Sequence, residues 1–225
     1  MAVTELKNNN APGLDTGRVV RHKLVDRLYH WIMAGSVFAL MGSAFLPIFG
    51  IKFEWLTIHW IAGVVLAVCV LIHIVRAVIF QDRMSMVVTP TDVKNGVRIV
   101  KRAMGQDAPA PVKPGKYNAL QKLYHLGVAF FILSVIGTGL AMLTKIDTPF
   151  WKRNPYWLGD SDWGYIYAIH GFAAMFMVSM VLIHIYFALR PDEWHLLRSM
   201  FRGWISGKEY KAHHDPSRWP AETKK

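Results

Sequence analysis

The stretch AIHGFAAMFMVSMVLIHIYFALR, Ala168 to Arg190, decides the fold. It is long and apolar enough to cross a bilayer. It carries two histidines, His170 and His184, with thirteen residues between them. Fourteen helical steps advance about 21 Å and return to within roughly 40° of the same face. Two imidazoles therefore project from one face near opposite ends of a spanning helix. Ionisable side chains inside a membrane are rare and by default mark function. Each of these two could ligate the iron of a separate haem. Tryptophan and tyrosine frame the span, as expected of side chains at the water boundary.

Working outward, the whole chain is too apolar for an ordinary soluble domain: 225 residues, 53% hydrophobic, mean hydropathy +0.23. Four charge-free runs, Leu28–Ile51, Trp55–Val75, Leu123–Thr144 and Trp163–Leu189, each hold 21 or more residues, enough to span. The first twenty residues are polar, so no cleavable signal peptide is expected. The single cysteine, Cys69, lies inside the second run. Disulfides, zinc ribbons and cysteine-ligated iron–sulfur clusters are therefore excluded within this chain.

A net charge of +11 could suggest nucleic acid, but its distribution argues otherwise. The N-terminal segment, the connection between spans two and three (76–122) and the C-terminal tail hold 22 of the 26 Lys and Arg residues. The opposite loops hold only Lys52, Lys145, Lys152 and Arg153. With four spans, the three basic segments share one side, and the bias assigns that side to the cytoplasm. The expectation is a multi-pass protein of a bacterial inner membrane with both termini cytoplasmic, contacting lipid and not nucleic acid.

In order, residues 1–23 read as a mobile cytoplasmic arm, and 24–190 as a four-helix transmembrane domain. Residues 191–225 read as a basic tail, with His213 and His214 in a flexible, solvated stretch. Pro47 and Gly50 close the first span. Within the inner connection, TPTDVKNGVRIVKRAMG has a Thr/Asp start signal and apolar residues at helical spacing (Val93, Val97, Val100, Met104). It reads as an interfacial helix on the anionic inner leaflet, followed by a DAPAPVKPG linker. The outer loop 145–163 is rich in aromatics, Pro and Gly, which suits either a docking surface or an interface belt.

The second span repeats the spacing of the fourth: His59 and His73 also have thirteen residues between them. Both helices run from outside to inside, so the two pairs lie at matching depths. Low-spin haem iron takes two strong axial ligands, and neutral imidazole supplies them without adding charge in lipid. At the outer level the only candidates are His59 and His170. At the inner level there are four: His30, His73, His125 and His184. Spacing symmetry favours His73 with His184, the arrangement of the cytochrome b in quinol–cytochrome c reductases.

VDRLYHW at the first span, IHWIAG at the second, GKYNALQK before the third and IHG…LIHIYFA in the fourth carry a resemblance. With GK…HHDPSRW in the tail, these pieces resemble, in the right order, the cytochrome b (gamma) subunit of respiratory membrane-bound formate dehydrogenases. HIYFALRPDEW also looks like a segment of the cytochrome b subunit of membrane nickel–iron hydrogenases. The resemblance implies an all-α, four-helix transmembrane bundle with two b-type haems, an inner one on His30 and His184 and an outer one on His59 and His170. It implies a menaquinone site beside the inner haem, lined by the segment matching Lys116 to Gln121. Asn118 and Gln121 are present there, and Leu120 stands where the family usually has glycine. His73 and His125 match apolar positions of the family, which leaves them as alternative ligands or secondary contacts to haem or quinone.

Asn118 and Gln121 are three apart and share a helix face. Their amides could polarise a quinone carbonyl, or simply start a helix. His125 or His184 could relay protons, since imidazole titrates in the useful range. The function expected is that of the membrane subunit of an oxidoreductase complex. Electrons from an iron–sulfur subunit, fed by a molybdenum or tungsten catalytic subunit, would cross two haems and reduce menaquinone or ubiquinone near the cytoplasm. Electron transport of this kind builds a membrane potential in anaerobic respiration, and an oligomer of the whole complex is left open. Rival readings are the cytochrome b of a hydrogenase or another periplasmic dehydrogenase, a free-standing quinol-linked cytochrome b, and a haem-free transporter or anchor.

Overall fold

The computed structural model describes residues 17–79, 85–220 and 223–224. The elements run β1 (Arg18–Val20), α1 (Leu24–Phe45), a 3-10 turn (Leu46–Phe49), α2 (Trp55–Ile79), α3 (Pro90–Ala103), α4 (Ala119–Leu143) and α5 (Asp160–Leu189). A second 3-10 turn (Pro191–Glu193), α6 (Trp194–Arg202), β2 (Trp204–Ser206), α7 (Gly207–His213) and β3 (Thr223–Lys224) complete them. Four helices are long and apolar enough to cross a membrane: α1 with its 3-10 extension, α2, α4 and α5. They cover the four apolar runs of the sequence except residues 50, 51 and 144. The reading of residues 1–16 as an arm lies outside the described residues.

The described residues form two compact units. The first holds 28–79 and 124–186, the greater part of the four long helices. Their large apolar side chains point outward, Leu71, Phe130, Phe172 and Leu182 among them, as hydrocarbon surroundings favour. Small and polar residues turn inward. Ser36 and Ser43 of α1 are buried, and their hydroxyls donate back to Ile32 O and Ala39 O, which satisfies them inside the helix. Small residues also let helices approach: a Cβ on Gly127 of α4 would come within 3.1 Å of Met180 Cε on α5. Near that contact the Tyr124 hydroxyl donates to Met180 O at 3.0 Å, and Phe131 stacks on Phe176. Pro47 and Gly50 close the first span as expected, Gly50 adopting a positive φ of 83° and donating its N–H to Pro47 O.

The second unit holds the described residues of 17–27, 85–123 and 187–224. Helix α3 begins at the Thr/Asp signal. Thr89 Oγ1 accepts from Asp92 N, and an Asp92 carboxylate oxygen accepts from Thr89 N, a complete capping box. Burial raises the Asp92 pKa, but the Thr89 N–H, the Lys122 ammonium at 2.9 Å and the Thr89 hydroxyl together hold it below the usual carboxylate range. Asn118 and Gln121 form a reciprocal cap on α4: Asn118 N donates to Gln121 Oε1, and Gln121 N to Asn118 Oδ1.

The tail departs from the sequence reading. Instead of a flexible, solvated stretch, it folds with residues 17–22. A three-stranded antiparallel sheet, ordered β2-β1-β3, pairs Val19 with Ile205 and with Thr223. Val19, Ile205 and Tyr210 form a small core against which Trp219 packs. Gly203 makes the crossing of the two segments feasible. It ends α6 at φ 87°, its carbonyl accepts from the N–H groups of Arg21 and His22, and a Cβ there would sit 2.9 Å from His22 O. His214 is buried, while His213 stacks on His195 at 4.4 Å.

Candidate haem-binding sites

Six histidines project from the four long helices, and the structure brings them together in pairs. His30 of α1 faces His184 of α5 with ring centroids 6.2 Å apart. His59 of α2 faces His170 of α5 at 6.4 Å. His73 of α2 faces His125 of α4, also at 6.4 Å. The symmetric combination of His73 with His184 is not the one seen, because the ring opposite His184 is that of His30.

These separations fit a metal between two rings. A metal–imidazole bond is about 2 Å long and the ligating nitrogen lies about 1.1 Å from its ring centre, so two rings on one iron stand roughly 6.2 Å apart. A direct N–H···N hydrogen bond, with nitrogens about 2.9 Å apart, would bring the centroids to roughly 5 Å or less. Among the described residues no three His, Cys, Asp or Glu side chains converge on a metal position. A bare ion would lack ligands, whereas a porphyrin brings four nitrogens of its own and asks the protein only for the axial two.

The outer pair is also prepared in its second nitrogens. Ser43 Oγ lies 2.9 Å from His59 Nδ1, and Thr138 Oγ1 lies 2.8 Å from His170 Nδ1. Each hydroxyl donates its own proton to a helix carbonyl, Ser43 to Ala39 O and Thr138 to Ser134 O. With its proton so placed, each hydroxyl would accept from the imidazole, which puts the ring proton on Nδ1 and would leave the Nε2 lone pair open to a metal. Gly139 leaves room for the His170 ring, since a Cβ there would stand 3.4 Å from His170 Cε1. Neither hydroxyl was singled out from sequence; the visible signal is a small polar residue one helix over from each histidine. Ser43→Ala and Thr138→Ala are each expected to weaken haem retention at the outer site by on the order of 10–100-fold. Haem loss to apomyoglobin from the purified protein measures it, and unchanged loss rates would refute the role.

At the inner pair His184 lies parallel to Tyr124, centroids 5.6 Å apart, so the Tyr124–Met180 hydrogen bond holds the imidazole against α4. His30 packs edge-on against Trp31 at 5.1 Å. Its Nδ1 is buried with no hydrogen-bond partner among the described residues.

Four membrane-length helices that oppose imidazoles in pairs suit a b-type cytochrome. The comparisons agree: residues 21–203 match the prokaryotic cytochrome b561 family, and the chain belongs to it. The chain is similar to the cytochrome b556(Fdn) subunit of the nitrate-inducible formate dehydrogenase of Escherichia coli K12, 26% identical over 221 residues and 92% of both chains. It is also similar to the cytochrome b556 subunit of the Haemophilus influenzae formate dehydrogenase, 24% identical over 91% of this chain and 83% of that one.

Proposed function

We propose that the chain is the membrane cytochrome b subunit of a formate dehydrogenase, with His30 and His184 holding an inner b haem and His59 and His170 an outer one. The observation that carries this reading is the opposition of two imidazole pairs at two heights, each at the spacing an iron needs. The full-length likeness to formate dehydrogenase subunits supplies the choice of donor. Haem bound at those pairs would relay single electrons from an iron–sulfur subunit, fed by a molybdenum or tungsten subunit, toward a quinone. The basic bias places both termini in the cytoplasm, with the amphipathic α3 in the headgroup plane.

The quinone is proposed to bind at the start of α4. Asn118 and Gln121 spend their amide oxygens on the helix cap, which leaves each amide nitrogen as the donor a quinone carbonyl requires.

Anaerobically purified complex tests the reading. It should carry haem b and an iron–sulfur partner with a molybdenum or tungsten subunit, and formate should reduce its haem. Reduction by hydrogen and not formate would move the chain to the hydrogenase reading, which the HIYFALRPDEW segment also suits. Full quinol-linked activity without partners would make it free-standing, and the absence of a Soret band would end the cytochrome reading altogether.

A further inference from the structure

We infer that this chain holds a third b haem, on His73 and His125. The inference rests on reading the other two imidazole pairs as haem ligands. It goes beyond that reading because it adds a site on a pair of helices, α2 and α4, that neither of the other sites uses together.

Three observations carry it. First, the His73–His125 centroid separation of 6.4 Å equals that of the His59–His170 pair and lies within 0.2 Å of the His30–His184 pair. That distance is too long for a direct hydrogen bond between the rings, which needs roughly 5 Å or less. It is too long as well for the close stack seen between His195 and His213 at 4.4 Å. It is the distance an intervening iron would set, about 6.2 Å.

Second, the two histidines arrive at one level from opposite chain directions. His125 stands six residues into α4 from Ala119, and His73 six residues before the end of α2 at Ile79. At about 1.5 Å per residue, each lies roughly 9 Å from its helix end. Two ionisable side chains placed opposite one another inside the apolar part of a membrane protein call for a shared task. No third His, Cys, Asp or Glu joins them among the described residues. A metal bound there must therefore come with its own equatorial ligands, as a porphyrin does.

Third, Arg76 follows His73 by three residues and so neighbours it on α2, with its guanidinium over the Tyr29 ring at 5.6 Å. Haem carries two propionates. A cation one turn from the axial ligand, on the side nearer the helix end, is the charge that a propionate seeks.

Haem stoichiometry of the purified complex tests the site without reference to turnover. Pyridine haemochrome, measured against this chain by quantitative amino-acid analysis, should give three haems for the wild type. His73→Ala and His125→Ala should each give two. The double variant should also give two, since both changes empty one site. His30→Ala and His59→Ala should each remove a different haem. Where an alanine variant does not assemble, His73→Met and His125→Met retain an iron ligand and should keep three haems with an altered low-spin spectrum. Two haems in the wild type, unchanged in His73→Ala and His125→Ala, would overturn the third site and leave the first two intact. Two haems with loss at His73→Ala but not at His30→Ala would overturn it too, by assigning His73 to His184. A wild type without haem would instead refute the cytochrome reading on which the inference stands.

Discussion

Alanine at His59 or His170 should remove one haem per chain and lower formate-driven quinone reduction by on the order of 100-fold or more, exceeding the loss expected for the neighbouring hydroxyls. The outer level holds no substitute ligand. Of the ten histidines in the chain, only these two lie in the N-terminal halves of α2 and α5. The nearest imidazoles on the same helices, His73 and His184, are fourteen residues away, about 21 Å along the axis. With haem on this pair, loss of either partner would leave the iron one protein ligand. His59→Gly and His170→Gly extend the test, because removing the side chain leaves space that added imidazole can enter. Exogenous imidazole should then restore the low-spin spectrum. Variants that keep the full haem content without added imidazole would show that this pair is ordinary packing.

The spanning helices and the outer pair were legible in the sequence because each depends on local information. Hydropathy over some twenty residues marks a span, and helical arithmetic gives the depth of a side chain. Spacing alone did not give the inner pairing, which the family resemblance supplied, for the same reason. His30, His73, His125 and His184 share one depth, and depth says nothing about which helices are neighbours. That choice is made by packing such as Gly127 against Met180 and Tyr124 against His184, which joins residues more than fifty positions apart. The hydroxyls behind the outer ligands depend on the same non-local packing. The amides of Asn118 and Gln121 illustrate the converse: their spacing announced a shared face, and the structure uses that face first to start a helix.

The small sheet unit was the least legible part. Strands of two or three residues, RVV and WIS among them, are too short to show alternation. The HHDPSRW segment is polar, and its order depends on distant partners: His214 meets Arg21 from 193 positions away. The folded tail also buries His214 against Arg21 of the N-terminal segment.

Acidification from about pH 6.5 to about pH 4 should loosen this unit by up to about 3 kcal/mol, through His214 alone. The imidazole is 5% exposed and uses both nitrogens in its neutral form. Nδ1 donates to Gly115 O at 2.7 Å, and Nε2 accepts from Arg21 Nη1 at 3.1 Å. A second proton would have to sit on Nε2, against the guanidinium. Burial first, then the Arg21 charge, hold the His214 pKa down to about 4 from its usual 6.5, with His195 and His213 adding to the effect and the Gly115 carbonyl opposing it. Below pH 6.5 the unfolded chain takes up a proton that the folded unit refuses, so the contribution is fully present above 6.5 and is gone by about 4. Arg21 is itself 3% exposed, donates to Lys116 O at 2.9 Å and lies over Trp219, and burial lowers its pKa to about 10, which leaves it charged throughout this range. Arg21→Ala should cost about 3 kcal/mol or more at neutral pH, since it strands a buried carbonyl and a buried imidazole nitrogen. Arg21→Lys should recover only part of this, because an ammonium lacks the fork that reaches both acceptors. Hydrogen exchange of the 204–214 amides in the full complex, corrected for intrinsic rates, measures both effects. His214→Gln should flatten the pH dependence between 4 and 6.5; an unaltered profile would mean that His214 is not the group that titrates.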